Sequence, residues 1–185
     1  MIEINIFQPT HSPLPRTRNL GSSNVLMISS GGIGDTILFA LVFHRFRELV
    51  KDNETLVLIV RSDAAKVGFL FGKNVKVFSV DYGLLIKSSK YRKKICEYLF
   101  HSHFRLVIST DYLRHPKKDE LLVKACQAPQ TFAMEPRPWP KYDSLLNKNL
   151  ILYNRLFDSG PLHFDKVLRW SNFANWLTEK NLPPP

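Results

Sequence analysis

Three glycines and an acid, Gly31, Gly32, Gly34 and Asp35, sit between the apolar run Val25–Ile28 and a second one, Ile37–Phe43. This order reads as a buried strand, a glycine turn and the opening of a helix. Glycines in such a turn give the backbone freedom and let a ligand approach the main chain closely. Asp35 then has two readings. It can serve the helix, because a carboxylate near a helix N-terminus is favoured by the free N–H groups and the dipole. It can instead be a general base at the mouth of the sheet, suited to taking a proton late from a hydroxyl whose attack is under way.

The turn matches neither common nucleotide fingerprint. A phosphate-cradling loop requires Lys-Ser/Thr after its last glycine, whereas here Asp35 follows Gly34 and would repel a phosphate. The dinucleotide pattern fails on spacing, and the second apolar run, Leu56–Val60, ends in Arg61 where an acid would hold a ribose. Other residues with chemistry to offer are isolated. His101 and His103 have no third ligand in view, which favours solvated or packed side chains over a metal site. Cys96 and Cys126 lack Cys-x-x-Cys spacing and read as reduced thiols. Trp139, Trp170 and Trp176 read as core or interdomain contacts.

The surrounding pattern says what positions these residues. Continuous branched runs at 25–29, 56–60, 75–80, 105–110 and 131–134 read as strands buried on both faces of a parallel sheet. Helices are expected at 35–50, 64–71 (capped by Asp63), 88–104 and 117–127. The first of these is apolar nearly all round, so it should pack on the sheet and be covered on its other side by a neighbouring helix or a partner domain. A long proline-rich loop is expected over 135–149 and a terminal helix from Asp165. Alternation of strand and helix gives an α/β fold, a doubly wound Rossmann-like parallel sheet. Ligands of such sheets bind beyond the carboxyl ends of the strands. That rule places the 30–36 turn, the 61–63 turn and the 110–118 loop on one rim.

Composition narrows the partners. The chain has 185 residues and a formal net charge of +10. Between Tyr82 and Glu120 nine basic side chains face four acidic ones, which places about half of that excess in one segment. Such a patch attracts nucleic acid, anionic lipid headgroups or a phosphorylated substrate, or is simply a solvated helix face. No apolar run is long enough to span a membrane, and the opening residues do not follow the pattern of a secretory signal; a soluble, cytoplasmic protein is expected. Residues 1–23 read as an N-terminal extension with a possible strand at 2–7, residues 24–182 as the domain, and Pro183–Pro185 as the start of a stiff linker.

The segment VLMISSGGIGDTILFALVFHRFRE resembles the N-terminus of glycosyltransferase family nine, the heptosyltransferases of lipopolysaccharide core assembly. LVISTDYLRHPKKDELLVKACQAPQTFAM and FDKVLRWSNFANWLTEKNLPPP are similar to later parts of the same family. The resemblance implies the N-terminal, acceptor-side half of a GT-B fold, with a second, donor-binding domain lying outside this chain. It implies that Asp35 is the base and that no metal or other cofactor is needed. Their place on the rim, not the resemblance, makes Gly31, Gly32, Gly34, Thr36, Asp111, Arg114, Lys117 and Lys118 the candidates to meet the acceptor, with plain surface charge as the alternative for Arg114, Lys117 and Lys118. The family often carries Asp where Ser109 stands here, and Asp111 is the nearest substitute. The partners implied are a nucleotide-sugar donor and an anionic glycolipid, with peripheral contact at the inner membrane face and no nucleic acid. Alone, the chain is expected to fold but to transfer little. Two other classes stay open: a nucleotide-binding oxidoreductase domain, and a basic module without catalysis that binds anionic lipid or polymer.

Overall fold

The computed structural model describes residues 24–185, so the strand expected near the start of the chain lies outside the described residues. Six parallel strands form one sheet in the order β3-β2-β1-β4-β5-β6: β1 (Asn24–Ser29), β2 (Thr55–Arg61), β3 (Val75–Val80), β4 (Phe104–Ser109), β5 (Gln130–Met134) and β6 (Arg155–Phe157). β1 pairs with β2 through Val25↔Leu56 to Ser29↔Val60, and with β4 through Val25↔Leu106 to Ile28↔Ser109. Alternate side chains of β1 feed two cores. Val25 and Met27 join one, Leu26 and Ile28 the other, and all four are buried.

On the first face lie α1 (Ile33–Phe46), a 3-10 segment at Ser62–Phe71 and α6 (Lys166–Thr178). Aromatic rings knit these together: Phe39 touches Phe43, Phe46, Phe71 and Trp170 at centroid separations of 5.3–6.3 Å. The second face carries α2 (Tyr82–Lys87), α3 (Ser89–His101) and α4 (Asp119–Cys126), with α5 (Asp143–Asn149) beyond them. At the amino end of the sheet, Arg105 of β4 binds Glu54 and reaches the Leu49 carbonyl at 3.2 Å, which joins β4 to the corner between α1 and β2. Glu54 is held below the usual carboxylate range mainly by this Arg105 bond.

Several expectations are corrected. α1 begins at Ile33 and yields to a 3-10 turn after Phe46. Among the described residues no neighbouring helix covers its outer face, where Ile37, Leu38 and Leu41 stay 39–54% exposed, so of the two expected covers only a partner domain is left. Asp63 does not cap the 62–71 segment; its carboxylate takes the Arg61 guanidinium at 2.7 Å. The long helix expected to Phe104 stops at His101, because His103 turns with φ 47 and β4 starts at once. The proline-rich stretch 135–149 ends in α5 and leads to an edge strand, β6, paired to β5 from Phe132↔Arg155 to Met134↔Phe157. In the Pro183 region, the Arg45 guanidinium donates to the carbonyls of Leu182 and Pro183.

Candidate active site

Strand order reverses between β1 and β4: β1 leads to α1 on one face, β4 to α4 on the other. Loops diverging from such a point leave a crevice beyond the strand ends. Here it is a cleft of about 210 Å³, lined by the 30–32 turn, Asp35, Arg61, Asp111, Lys166 and Trp170 among others. Trp170 donates its indole N–H to the Thr110 carbonyl at 2.8 Å, and Thr110 donates to the Ile28 carbonyl, so the cleft floor is fixed to both central strands.

Asp35 is the third residue of α1 and does not cap it; Gly32 holds the cap position without a side-chain bond. The Asp35 carboxylate instead meets Lys166, the first residue of α6, with Nζ 2.5 Å from Oδ1. Both stay within reach of solvent, at 32% and 42% side-chain exposure. Asp165 orients this end of α6 by accepting the Leu168 N–H at 2.9 Å. Two helix N-termini thus converge on one ion pair, bringing their dipoles to the cleft.

The glycines serve this site in a different way from the one expected, for none of the three has a positive φ. Gly31 is required by close approach: a Cβ there would lie 2.4 Å from the Asp35 Cβ. Gly32 and Gly34 have open space around them, with nothing nearer than the Arg61 guanidinium at 4.0 Å from the former.

Asp111 supplies a second carboxylate to the cleft. Its Oδ2 accepts the Ser30 N–H at 2.6 Å and the Ser30 hydroxyl at 3.2 Å. Withdrawal from water pushes this acid up to about 6 against the lowering effect of the Ser30 bonds, with the charges of Asp119 and Asp35 adding to the rise. Beyond Ser30, Arg61 and Leu113 the cleft continues into a polar one of about 440 Å³, walled by Tyr82, His115, Lys118, Asp119 and Trp139. Burial raises Asp119, which accepts the His115 N–H at 2.7 Å, and lowers the His115 imidazole, leaving it neutral near pH 7.

The structure separates the other expected site residues. Arg114, expected on the rim, is instead buried, bonded to Glu120 and the Met134 carbonyl and stacked on Tyr153 at 4.8 Å, so it braces α4 against β5. Thr36 is buried too, its hydroxyl spent on the Gly32 carbonyl at 3.0 Å. Gly34 lies outside the cleft, Lys118 lines only its polar extension, and Lys117 faces a separate groove on the α4 side. Lys166, the partner of Asp35, carries no signal in local spacing because it is 131 residues away. Arg169 also lines the cleft, but its guanidinium donates to the Ser159, Pro161 and Phe164 carbonyls and lies over Tyr112 at 3.9 Å. Lys166 and Arg61 are therefore its accessible cations.

No family model and no curated protein matches the sequence. Solved structures do match the fold. Escherichia coli heptosyltransferase WaaC with ADP aligns at TM-score 0.65 and 14% identity over 86% of this chain and 49% of that one. The same enzyme with ADP-2-deoxy-2-fluoro heptose gives 0.63 and 16% over 86% and 50%. A family 9 glycosyltransferase of Veillonella parvula gives 0.65 and 12% over 90% and 44%. The fold is that of one half of a GT-B glycosyltransferase. The chain spans about half the length of each of these structures. At the level of fold, the resemblance drawn from the sequence is borne out.

Proposed function

We propose that this chain is the acceptor-side half of an inverting glycosyltransferase of heptosyltransferase type, with Asp35 as its base. The observation that carries the reading is the Asp35–Lys166 pair, set where two helix N-termini meet at the reversal point of a sheet shared with heptosyltransferase structures. An acceptor hydroxyl in the cleft donates its proton to Asp35 as its oxygen attacks the anomeric carbon of a nucleotide-sugar. The new C–O bond forms on the face opposite the leaving group, and the old bond breaks with its electron pair departing on the nucleotide diphosphate. Lys166 holds the carboxylate in place and, with Arg61, makes the cleft favourable to an acceptor bearing its own carboxylate or phosphate. The acceptor class is an anionic glycolipid, which sets the protein to work at the inner face of a membrane.

The test is transfer of labelled heptose from ADP-heptose to lipopolysaccharide truncated in its inner core, with this chain joined in one polypeptide to a donor-binding domain. Asp35→Asn is expected to lower the rate by about 10²-fold or more while leaving donor binding intact. Full activity in that variant would remove Asp35 from the base role. A thermal shift of the wild-type chain with NAD(P) would favour the oxidoreductase class instead.

A further inference from the structure

Most lysines of the basic segment noted in the sequence stand away from the cleft just described; of these, Lys118 alone lines its polar extension. The structure shows where part of it goes. Residues 115–118 form a shared wall: His115 and Lys118 line the polar cleft, whereas Pro116 and Lys117 line a groove of about 520 Å³ on the opposite side of the loop. Ile86, Leu121, Leu145 and Leu152 furnish its apolar surface, and Lys117 and Lys124 stand at its rim. Lys87 and Lys148 neighbour groove residues in sequence and are exposed. So is Ile151, next to Leu152, at 89% exposure, while Ile86 and Leu145 are 43% and 39% exposed.

From this arrangement we infer that the α4–α5 groove face is a docking surface for anionic phospholipid at a membrane surface. Charge complementarity supports the assignment. Among the described residues, Lys87, Lys117, Lys124 and Lys148 take part in no ion pair. Glu120, the acid lining the groove, is fully buried and engaged by Arg114 and by Asn149 at 2.6 Å, so it does not cancel them. The apolar component distinguishes lipid from nucleic acid. Single strands are held by aromatic platforms and cations, and no aromatic ring lines this groove. Aliphatic side chains beside unpaired lysines suit the boundary between headgroups and acyl chains, where each apolar group inserted and each lysine near an anionic surface adds to binding. The docking does not depend on the glycosyltransferase reading.

Flotation of the 185-residue chain with vesicles tests this. Binding is expected to vesicles containing phosphatidylglycerol, to be weak on phosphatidylcholine alone, and to fall as salt rises. Combined Lys117→Gln, Lys124→Gln and Lys148→Gln should weaken it by about 100-fold, at roughly five-fold per lysine. Leu145→Ser with Ile151→Ser should weaken it several-fold at every salt concentration. Lys73→Gln with Lys76→Gln, at the far edge of the sheet, should change nothing, and circular dichroism melts confirm folding. Equal binding to phosphatidylcholine, or unaltered binding by the lysine variant, would overturn the proposal. Displacement of the vesicles by single-stranded RNA that binds the serine variant as it binds wild type would overturn it in favour of a nucleic-acid surface. Asp35→Asn should bind vesicles normally, so failure of the docking face and failure of the transferase reading are read separately.

Discussion

Asp35 depends on a residue with no functional groups of its own. The Gly31 backbone runs so near the first turn of α1 that a methyl group there would overlap the Asp35 Cβ at 2.4 Å and crowd Oδ2 at 3.0 Å. Neither contact is with the yielding tip of a long side chain, so the start of α1 must move. Gly31→Ala should therefore cost about 1–3 kcal/mol in a denaturant melt and displace Asp35 from Lys166, with a large loss of transfer. Gly34→Ala is the contrast. Position 34 is helical with open space around it, and alanine should leave activity alone and raise stability by about 0.5 kcal/mol. A motif reading treats the glycines as equivalent; the difference lies in which Cβ would meet Asp35, which spacing does not express. Lys166 was illegible for a related reason, since a partner brought in by tertiary packing leaves no mark near Asp35 in the sequence. Arg114 misled in the opposite sense: loop position and charge suggested the rim, but Glu120 and the Met134 carbonyl draw it inside.

At the scale of elements, the long, strongly patterned segments were readable. β1 to β5, α1 and α6 follow from apolar runs and helical periodicity because both sheet faces are buried and demand them. The short ones were not. α2 has six residues, α5 seven and β6 three; each is held by packing and its neighbours, and α5, in the proline-rich stretch, and β6, just after it, carry little pattern of their own. α6 matters most for the site because its first turn carries Lys166. Its N-cap, Asp165, fixes the angle of that turn through the Leu168 N–H. Asp165→Ala should cost about 1 kcal/mol, and Asp165→Asn, which keeps a capping oxygen, much less. The alanine variant should also lower transfer more than its small stability loss explains, because Lys166 then holds Asp35 less firmly. Comparing both variants in melts and rate assays checks this, and equal rates for the two would mean that the cap does not position Lys166.

Across the whole molecule, the carboxyl end of the sheet gathers acids that the fold withdraws from water. Asp111 rises to about 6, and Asp119 and Glu120 move upward as well, each chiefly through burial. In the unfolded chain an aspartate titrates near 3.9, so between about pH 4 and pH 6 the folded state holds a proton at Asp111 that the unfolded state has released. Stability from this group is therefore complete on the acid side and is lost as pH rises through about 6. Glu54 works in the opposite direction, because its lowered position contributes stability above the normal glutamate range that disappears as pH falls. The positive charge of the chain, +10 at pH 7, also grows on acidification and adds repulsion, so the total pH profile mixes several groups. A difference between two proteins isolates one of them. Asp111→Asn retains an oxygen for the Ser30 N–H but has nothing to titrate. Measured by denaturant melts, it should match wild type near pH 4 and exceed it by about 1–2 kcal/mol at pH 8, with the difference growing between about pH 4 and pH 6 and level above that. An equal difference at both pH values would show that Asp111 is already ionised at pH 4. The cleft would then present two charged carboxylates across the working range, and its attraction for an anionic acceptor would rest on Lys166 and Arg61 overcoming both.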